Sequence, residues 1–216
     1  MLKNVIGLMS GTSMDGIDAA FLKTDGLCHV EAGEAITVPY TEDLRKQISE
    51  VVTSCKVSKT IEELVTVIHA EVITQLLNKK KSSSNEIDLI GFHGHTIYHN
   101  PDIRKTLQIG DGELLAKLTG VDVVCDFRSN DVMHGGQGAP LVPLYHRAVA
   151  SQLAKPLAIL NLGGVANITW LGHEDELLAF DTGPGNALLD DFMNFRLGEK
   201  QDTGGKMALS GNVDQS

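Results

Sequence analysis

Three carboxylates stand beside turns built of small residues, and those turns are where group-transfer chemistry could be done. Asp15 and Asp18 belong to VIGLMSGTSMDGID, residues 5–18. There an apolar run is cut off by Ser10-Gly11-Thr12-Ser13 and resumes after Asp15-Gly16, the pattern of a hairpin with a tip of small and hydroxyl residues. Such a tip lets backbone N–H groups approach an anion closely, and a carboxylate next to it can hold Mg2+ through water. The same residues would also make an ordinary tight hairpin. Asp181 opens DTGPGN, residues 181–186. An apolar strand over residues 177–180 delivers it to a glycine turn, and a helix begins near Asn186 with Leu188, Leu189 and Phe192 inward. A strand-end carboxylate beside a helix N-terminus suits a general base close to a phosphate, while the plainer reading is that Asp181 caps the turn.

His93, His95 and His99 form a second group. Neutral imidazoles at H-x-H spacing can share a metal ion, with Asp126 and Asp181 able to complete the set. Equally, His95-Thr96 beside a glycine can bind a sugar hydroxyl. Arg128 could pair with Asp131 or grip an anion. The loop Gly135-Gly136-Gln137-Gly138 is either a lid or a connector. Neither a Walker A pattern nor G-x-G-x-x-G is present: Gly110-x-Gly112 and Gly183-x-Gly185 are both followed by leucine where the third glycine belongs.

The elements that must position these residues follow from periodicity and punctuation. Strands are expected over residues 5–9, 17–22 and 28–38. A helix follows over 41–53. A second helix has Ile61, Leu64, Val65, Ile68, Val72 and Leu76 at helical spacing, a Thr60/Glu63 capping box, and three lysines, Lys79 to Lys81, as its solvated end. A strand over 87–92 is expected to stop at His93, and another lies over 106–109. Asp111 caps a short helix with Leu114, Leu115 and Leu118 on one face and Gly120 as its stop. A buried strand spans 121–125 and a helix 141–153, before the joint Lys155-Pro156. Residues 157–162, Gly163-Gly164, 165–171 and 177–180 then repeat the opening order of strand, glycine turn, strand, strand. Two related halves are expected, their glycine hairpins facing across a cleft.

The formal charge of −10, from 18 basic and 28 acidic residues, argues against a nucleic-acid or anionic-membrane surface. At 42% hydrophobic the chain can bury a core, and its 21% charged residues do not make it disordered. Cys28, Cys55 and Cys125 are odd in number and widely spaced, which predicts reduced core thiols. One lysine and a five-residue apolar run at the start are too short for a signal peptide, so a cytoplasmic protein is expected.

The motifs GLMSGTSMDGID (7–18), GFHGHTIYH (91–99), QIGDGELLA (108–116), DFRSNDVMHGGQGAPLVPLYH (126–146), NLGGVANIT (161–169) and FDTGPGNALLD (180–190) resemble those of the anhydro-N-acetylmuramic acid kinases. They are long, ordered and spread over nearly the whole chain. The resemblance implies an α/β fold of the actin-like ATPase (RNase H-like) kind. Its domain would be duplicated, with the first copy over residues 1–154 and a truncated second copy over 155–216. It implies ATP and Mg2+, with the ATP phosphates held by Gly11, Thr12, Ser13, Met14, Asp15, Gly16, Ile17 and Asp18, and the metal by Asp15. Asp181 is implied as catalytic base, and His95, Thr96 and Arg128 as sugar contacts. The activity implied is hydrolytic opening of 1,6-anhydro-N-acetylmuramic acid with phosphorylation of O6, in cell-wall recycling. Its partners are the sugar and ATP, without nucleic acid or membrane. The sequence departs from the family in stopping before the adenosine-binding glycine motif, so the fragment itself is expected to be inactive. The edge of a half-built domain would encourage a homodimer. Two other readings stay open: a non-catalytic truncated binding or pairing domain, and a metal-dependent hydrolase using His93 and His95.

Overall fold

The computed structural model describes the chain apart from Thr12, Ser13, Asp15, Asp175 and residues 213–216. It divides into two compact units, Met1–Ala139 and Pro140–Ser216. Both are mixed α/β.

The first unit opens with three antiparallel strands, β1 (Lys3–Ser10), β2 (Gly16–Thr24) and β3 (Val30–Pro39). Successive side chains of a strand point to opposite faces, so Ile6, Leu8 and Ser10 of β1 and Ile17, Ala19 and Phe21 of β2 all turn into the core. Two helices follow, α1 (Glu42–Ser54) and α2 (Lys59–Lys80). Thr41 caps α1 by accepting from the Leu44 N–H. For α2 the capping residue is Ser58, whose Oγ accepts from the Ile61 N–H at 3.3 Å, in place of the expected Thr60. Thr60 lies one residue inside the first turn, where its own backbone is already helical. The lysines at the far end of α2 are not merely solvated: Lys79 donates to the Ala35 carbonyl at 2.9 Å and Lys80 lies over the Phe21 ring.

Strand β4 (Leu89–Asn100) runs parallel to β1 and is the long central strand of the unit. It was expected to end at His93 and continues for seven residues beyond it, because a bulge absorbs the irregularity. Leu8 pairs with Phe92 but Ser10 with His95, so β4 spends one extra residue there. Gly94 makes this feasible: its φ is +69°, and a Cβ would lie 2.3 Å from the Ile109 carbonyl oxygen. On its other edge β4 pairs with β5 (Lys105–Ile109), antiparallel, and β6 (Val123–Cys125), parallel. The helix α3 (Gly112–Thr119) lies between them, capped by Asp111 and stopped by Gly120 as expected, with Leu115 its buried residue and Leu118 exposed. Helix α4 (Ser129–Met133) closes the unit. Val72, Ile73 and Leu76 of α2 pack with Ile90, Phe92 and Leu115 onto the inner face of β1 and β2. Leu44, Ile48, Ile61 and Val65 form a second cluster with Ile97 and Ile109.

The expectation of core thiols fails: all three cysteines are exposed. Cys28 lies in the turn that Asp25 organises, Cys55 is the left-handed residue after α1, and Cys125 ends a short strand that is not buried.

The second unit carries α5 (Val142–Val149) and an antiparallel meander of β7 (Leu157–Leu162), β8 (Val165–Leu171) and β9 (Leu177–Pro184). Helices α6 (Ala187–Leu197) and α7 (Lys206–Ser210) follow. The expected inward face of α6 is corrected: Leu188, Leu189 and Phe192 are exposed, and Met193 is the buried residue.

Candidate functional site

In the first unit, β1 leads to the small-residue tip. Gly11 and Met14 close a turn, with the Met14 N–H donating to the Gly11 carbonyl at 3.0 Å. Met14 takes a left-handed φ of 56° and packs on the second core cluster. Of the expected phosphate-binding residues, Thr12, Ser13 and Asp15 lie outside the described residues, and with Asp15 the expected metal contact. Gly16 has an internal reason to be glycine, since a Cβ would sit 2.3 Å from the Val38 carbonyl oxygen. Ile17 is buried, and its backbone lies in the sheet between Ser10 of β1 and Val38 of β3. Asp18 is exposed and accepts from Thr37 Oγ1 at 2.6 Å.

At the foot of this hairpin, the bulge sends His93 and His95 to different partners. The Ser10 hydroxyl lies 3.1 Å from the Gly94 carbonyl oxygen and 3.2 Å from His95 Nδ1, all of it buried. His95 is 0% exposed, so its side chain touches protein on every side. Burial, helped by His93, pushes its pKa down to about 4, and the ring is neutral at pH 7. Its Nε2, His69 Nε2 and the Tyr40 hydroxyl are buried without partners among the described residues. His93 Nδ1 donates to the Gly94 carbonyl at 2.9 Å, which leaves Nε2 as the acceptor for Arg128 Nε–H at 2.9 Å. Arg128 also donates through Nη1 to the Gly138 carbonyl at 2.5 Å. Asp131 accepts instead from the Gly138 N–H at 2.7 Å. The glycine loop is therefore pinned at its end by two side chains. Thr96 is half-buried opposite Gln108 on β5. His99 is exposed and bonded to Thr106, away from the other two histidines. Among the described residues no group of three or more His, Cys, Asp or Glu side chains is placed to hold a metal.

In the second unit, β9 runs past Asp181 to Pro184, so this carboxylate lies inside the strand and not at its end. It pairs with Asn167, and the next register pair is Ala166 with Gly183, which leaves Thr182 as the extra residue of a bulge. Thr182 Oγ1 donates to the Ala166 carbonyl at 3.1 Å, and Gly183 takes a φ of +140°. Beyond the bulge the chain clamps onto the β7–β8 turn. The Gly185 N–H donates to the Gly164 carbonyl at 2.8 Å and the Asn186 N–H to the Gly163 carbonyl at 2.7 Å. The Asn186 side chain reaches the Leu162 carbonyl at 2.8 Å. A Cβ on Gly185 would lie 2.4 Å from the Gly163 oxygen, so the approach requires glycine. The two-glycine turn, the strand carrying Asp181 and the first residues of α6 are thus fastened together. Asp181 is exposed on the strand that leads into this clamp, and an exposed carboxylate can take a proton from a small molecule.

Ser10 was read as part of the tip and is instead the buried last residue of β1, and the Gly138 carbonyl was not singled out. The alternation of β1 points Ser10 inward, which was the available signal; the Gly138 contact depends on loop geometry and had none.

A family model described as anhydro-N-acetylmuramic acid kinase matches residues 3–216. A relative of that name from Paramagnetospirillum magneticum is 51% identical over 208 residues, covering 96% of this chain and 59% of its own length. Another of the same name, from Rhodospirillum rubrum, is 51% identical over 216 residues, covering 97% of this chain and 56% of its own. The chain spans less than two thirds of the length of these relatives. Among solved structures, the type II variant of the Aquifex aeolicus Ppx/GppA phosphatase superposes with a TM-score of 0.45 at 13% identity, over 88% of this chain and 55% of that one.

Proposed function

Because this chain belongs to the anhydro-N-acetylmuramic acid kinase family, we propose that it serves an ATP-dependent kinase that opens 1,6-anhydro-N-acetylmuramic acid and phosphorylates O6. The observation that carries the reading is the family match over residues 3–216. The clamped segment holding Asp181 is the local feature that fits it. Asp181 takes a proton from water as the water oxygen bonds C1. The C1–O6 bond breaks with its electron pair going to O6, and O6 then bonds the γ-phosphorus of ATP as ADP departs. The product is N-acetylmuramic acid 6-phosphate, an intermediate of cell-wall recycling, and the reaction is assigned to the cytoplasm. No helix among the described residues is long and apolar enough to cross a membrane.

In this reading the tip from Gly11 to Asp18 receives the ATP phosphates on its backbone amides. The donors fit Mg2+, a hard cation that takes carboxylate oxygens, often through water. Asp15 would hold it; the exposed Asp18 of β2 has Oδ1 already committed to Thr37. Bound Mg2+ would neutralise charge on the transferring phosphoryl group. His95, wholly buried, acts by fixing Ser10 at the foot of the tip, while Thr96 and Arg128 are assigned to the sugar. A three-strand antiparallel meander in each unit, with a small-residue first turn in the sequence, supports a duplicated RNase H-like architecture.

The test is product analysis in water enriched in 18O, on a chain carrying these residues at the relatives' length. The expected product is a 6-phosphate with label on the C1 hydroxyl and none in the phosphate ester. A product phosphorylated at C1, without label, would contradict the mechanism.

A further inference from the structure

The first unit has two apolar clusters, and the place where they abut is polar. On α2, Val65 belongs to one cluster and Val72 to the other, and His69 lies between them on the same helical face. On β4, Phe92 and Ile97 divide in the same way, with His95 between them. Tyr40, which follows β3, packs against both clusters, its ring 6.2 Å from that of His95. The His69 ring meets Phe92 edge-on at 5.0 Å, and it is close enough to His95 for a proton there to disfavour its own. Both histidines are 0% exposed. Hydrogen-bond bookkeeping fixes what each ring presents at this junction. A carbonyl only accepts, so His69 Nδ1 carries the proton it gives to Val65, and Nε2 is bare. The Ser10 hydroxyl gives its hydrogen to the Gly94 carbonyl, so His95 Nδ1 donates to Ser10 Oγ, and its Nε2 is bare as well. These two nitrogens and the Tyr40 hydroxyl are the buried polar atoms left without a partner among the described residues.

We propose that this junction is the binding site of one internal water molecule, which donates to His69 Nε2 and His95 Nε2 and accepts from the Tyr40 hydroxyl. Two bare nitrogens cannot bond to each other, and the tyrosine has one hydrogen for the pair of them. Water has two hydrogens to give and lone pairs to receive a third bond, and internal waters ordinarily make about three hydrogen bonds to buried polar groups. A metal cation would also accept two imidazoles. Against it, no acid stands among the buried side chains of the described residues to offset the charge. Burial also pushes the Tyr40 phenol up, away from the phenolate that would serve as a ligand. With water at the junction, hydrogen bonds run without a break from the Val65 carbonyl through His69, the water, His95 and Ser10 to the Gly94 carbonyl. The run ties α2 to the last residue of β1, so this water belongs to the scaffold beneath the small-residue tip and takes no part in the reaction.

The experiment joins oxygen-17 relaxation dispersion of water, on the full chain and on His69→Leu, to a double-mutant cycle of Tyr40→Phe with His69→Leu. The cycle is read by urea denaturation at pH 8, where the histidines are neutral in the folded and unfolded chain alike. The unmodified protein should hold a water whose residence outlasts molecular tumbling, and His69→Leu should hold one fewer. Tyr40→Phe should lower the folding equilibrium constant about 2–10-fold, the worth of one hydrogen bond, and should lose most of that effect when made on top of His69→Leu. A Tyr40→Phe variant more stable than the unmodified protein would show an orphaned hydroxyl and overturn the proposal. An equal loss in both backgrounds would overturn it too, marking a direct bond from the phenol to its neighbour Ser10. Retention of every long-lived water by His69→Leu would have the same force. Stoichiometric zinc in the unmodified protein that is absent from His69→Leu would put a metal there instead. An unmodified protein without any long-lived water overturns the proposal whether or not the variants fold.

Discussion

Ser10 Oγ and His95 Nδ1 meet at 3.2 Å inside the first unit, one residue past the bulge that Gly94 creates in β4. The contact ties the last residue of β1, from which the small-residue tip departs, to the strand that also carries His93 and Thr96. It is made by a neutral imidazole in a site with no water-facing surface, so protonation of that ring opposes the fold.

The acid sensitivity of the first unit follows from this. His69 on α2 is also buried, with Nδ1 donating to the Val65 carbonyl at 2.7 Å, and burial pushes its pKa down to about 4, as for His95. In the unfolded chain both histidines titrate near 6.5. Above that pH both states are neutral and the stability is fully present. Between about 6.5 and 4 the unfolded state binds more protons, so stability falls as pH falls, by on the order of 1 kcal/mol per pH unit for each ring. Urea denaturation from pH 8 to 4 should show this decline, and His69→Leu should remove one ring's share of its slope, with His95 and the burial-lowered His93 supplying the rest. A flat profile would contradict the burial account.

The clamp in the second unit is tested by Gly185→Ala. The added Cβ would meet the Gly163 carbonyl oxygen at 2.4 Å, which forces the DTGPGN segment away from the β7–β8 turn. A cost of ~1–3 kcal/mol is expected, typical of forced overpacking. Hydrogen exchange at the Gly185 and Asn186 amides should speed up in the variant, and unchanged protection there would show that the clamp tolerates the methyl group.

Much of this was legible in the chain and some was not, for physical reasons. The β1–β2 hairpin, the Asp111 cap and the meander of the second unit were readable, because alternation and turn residues are local signals. The extension of β4 was hidden by Gly94, which reads as a stop but serves as a bulge against β1. Likewise Gly183 and Gly185 mark a bulge and a close approach where the sequence suggested a simple turn after Asp181. His95 beside a glycine looked like a ligand-facing residue. The extra residue of the bulge turns it inward, and nothing in the local sequence reports a register shift against β1. The exposed face of α6 was misjudged because helical spacing identifies an apolar stripe without saying which part of it meets the sheet.

The central claim is that Asp181 is the base, and Asp181→Asn tests it most directly, in a chain of the relatives' length. Its carboxylate is exposed on β9 and pairs across the sheet with Asn167, so the isosteric amide should leave the fold intact. Turnover of the anhydro sugar should fall by ~10²–10⁴-fold, the usual worth of a positioned base, while calorimetry shows nucleotide affinity within about twofold of the unmodified protein. Near-normal turnover in the variant would contradict the assignment and move the base to another residue.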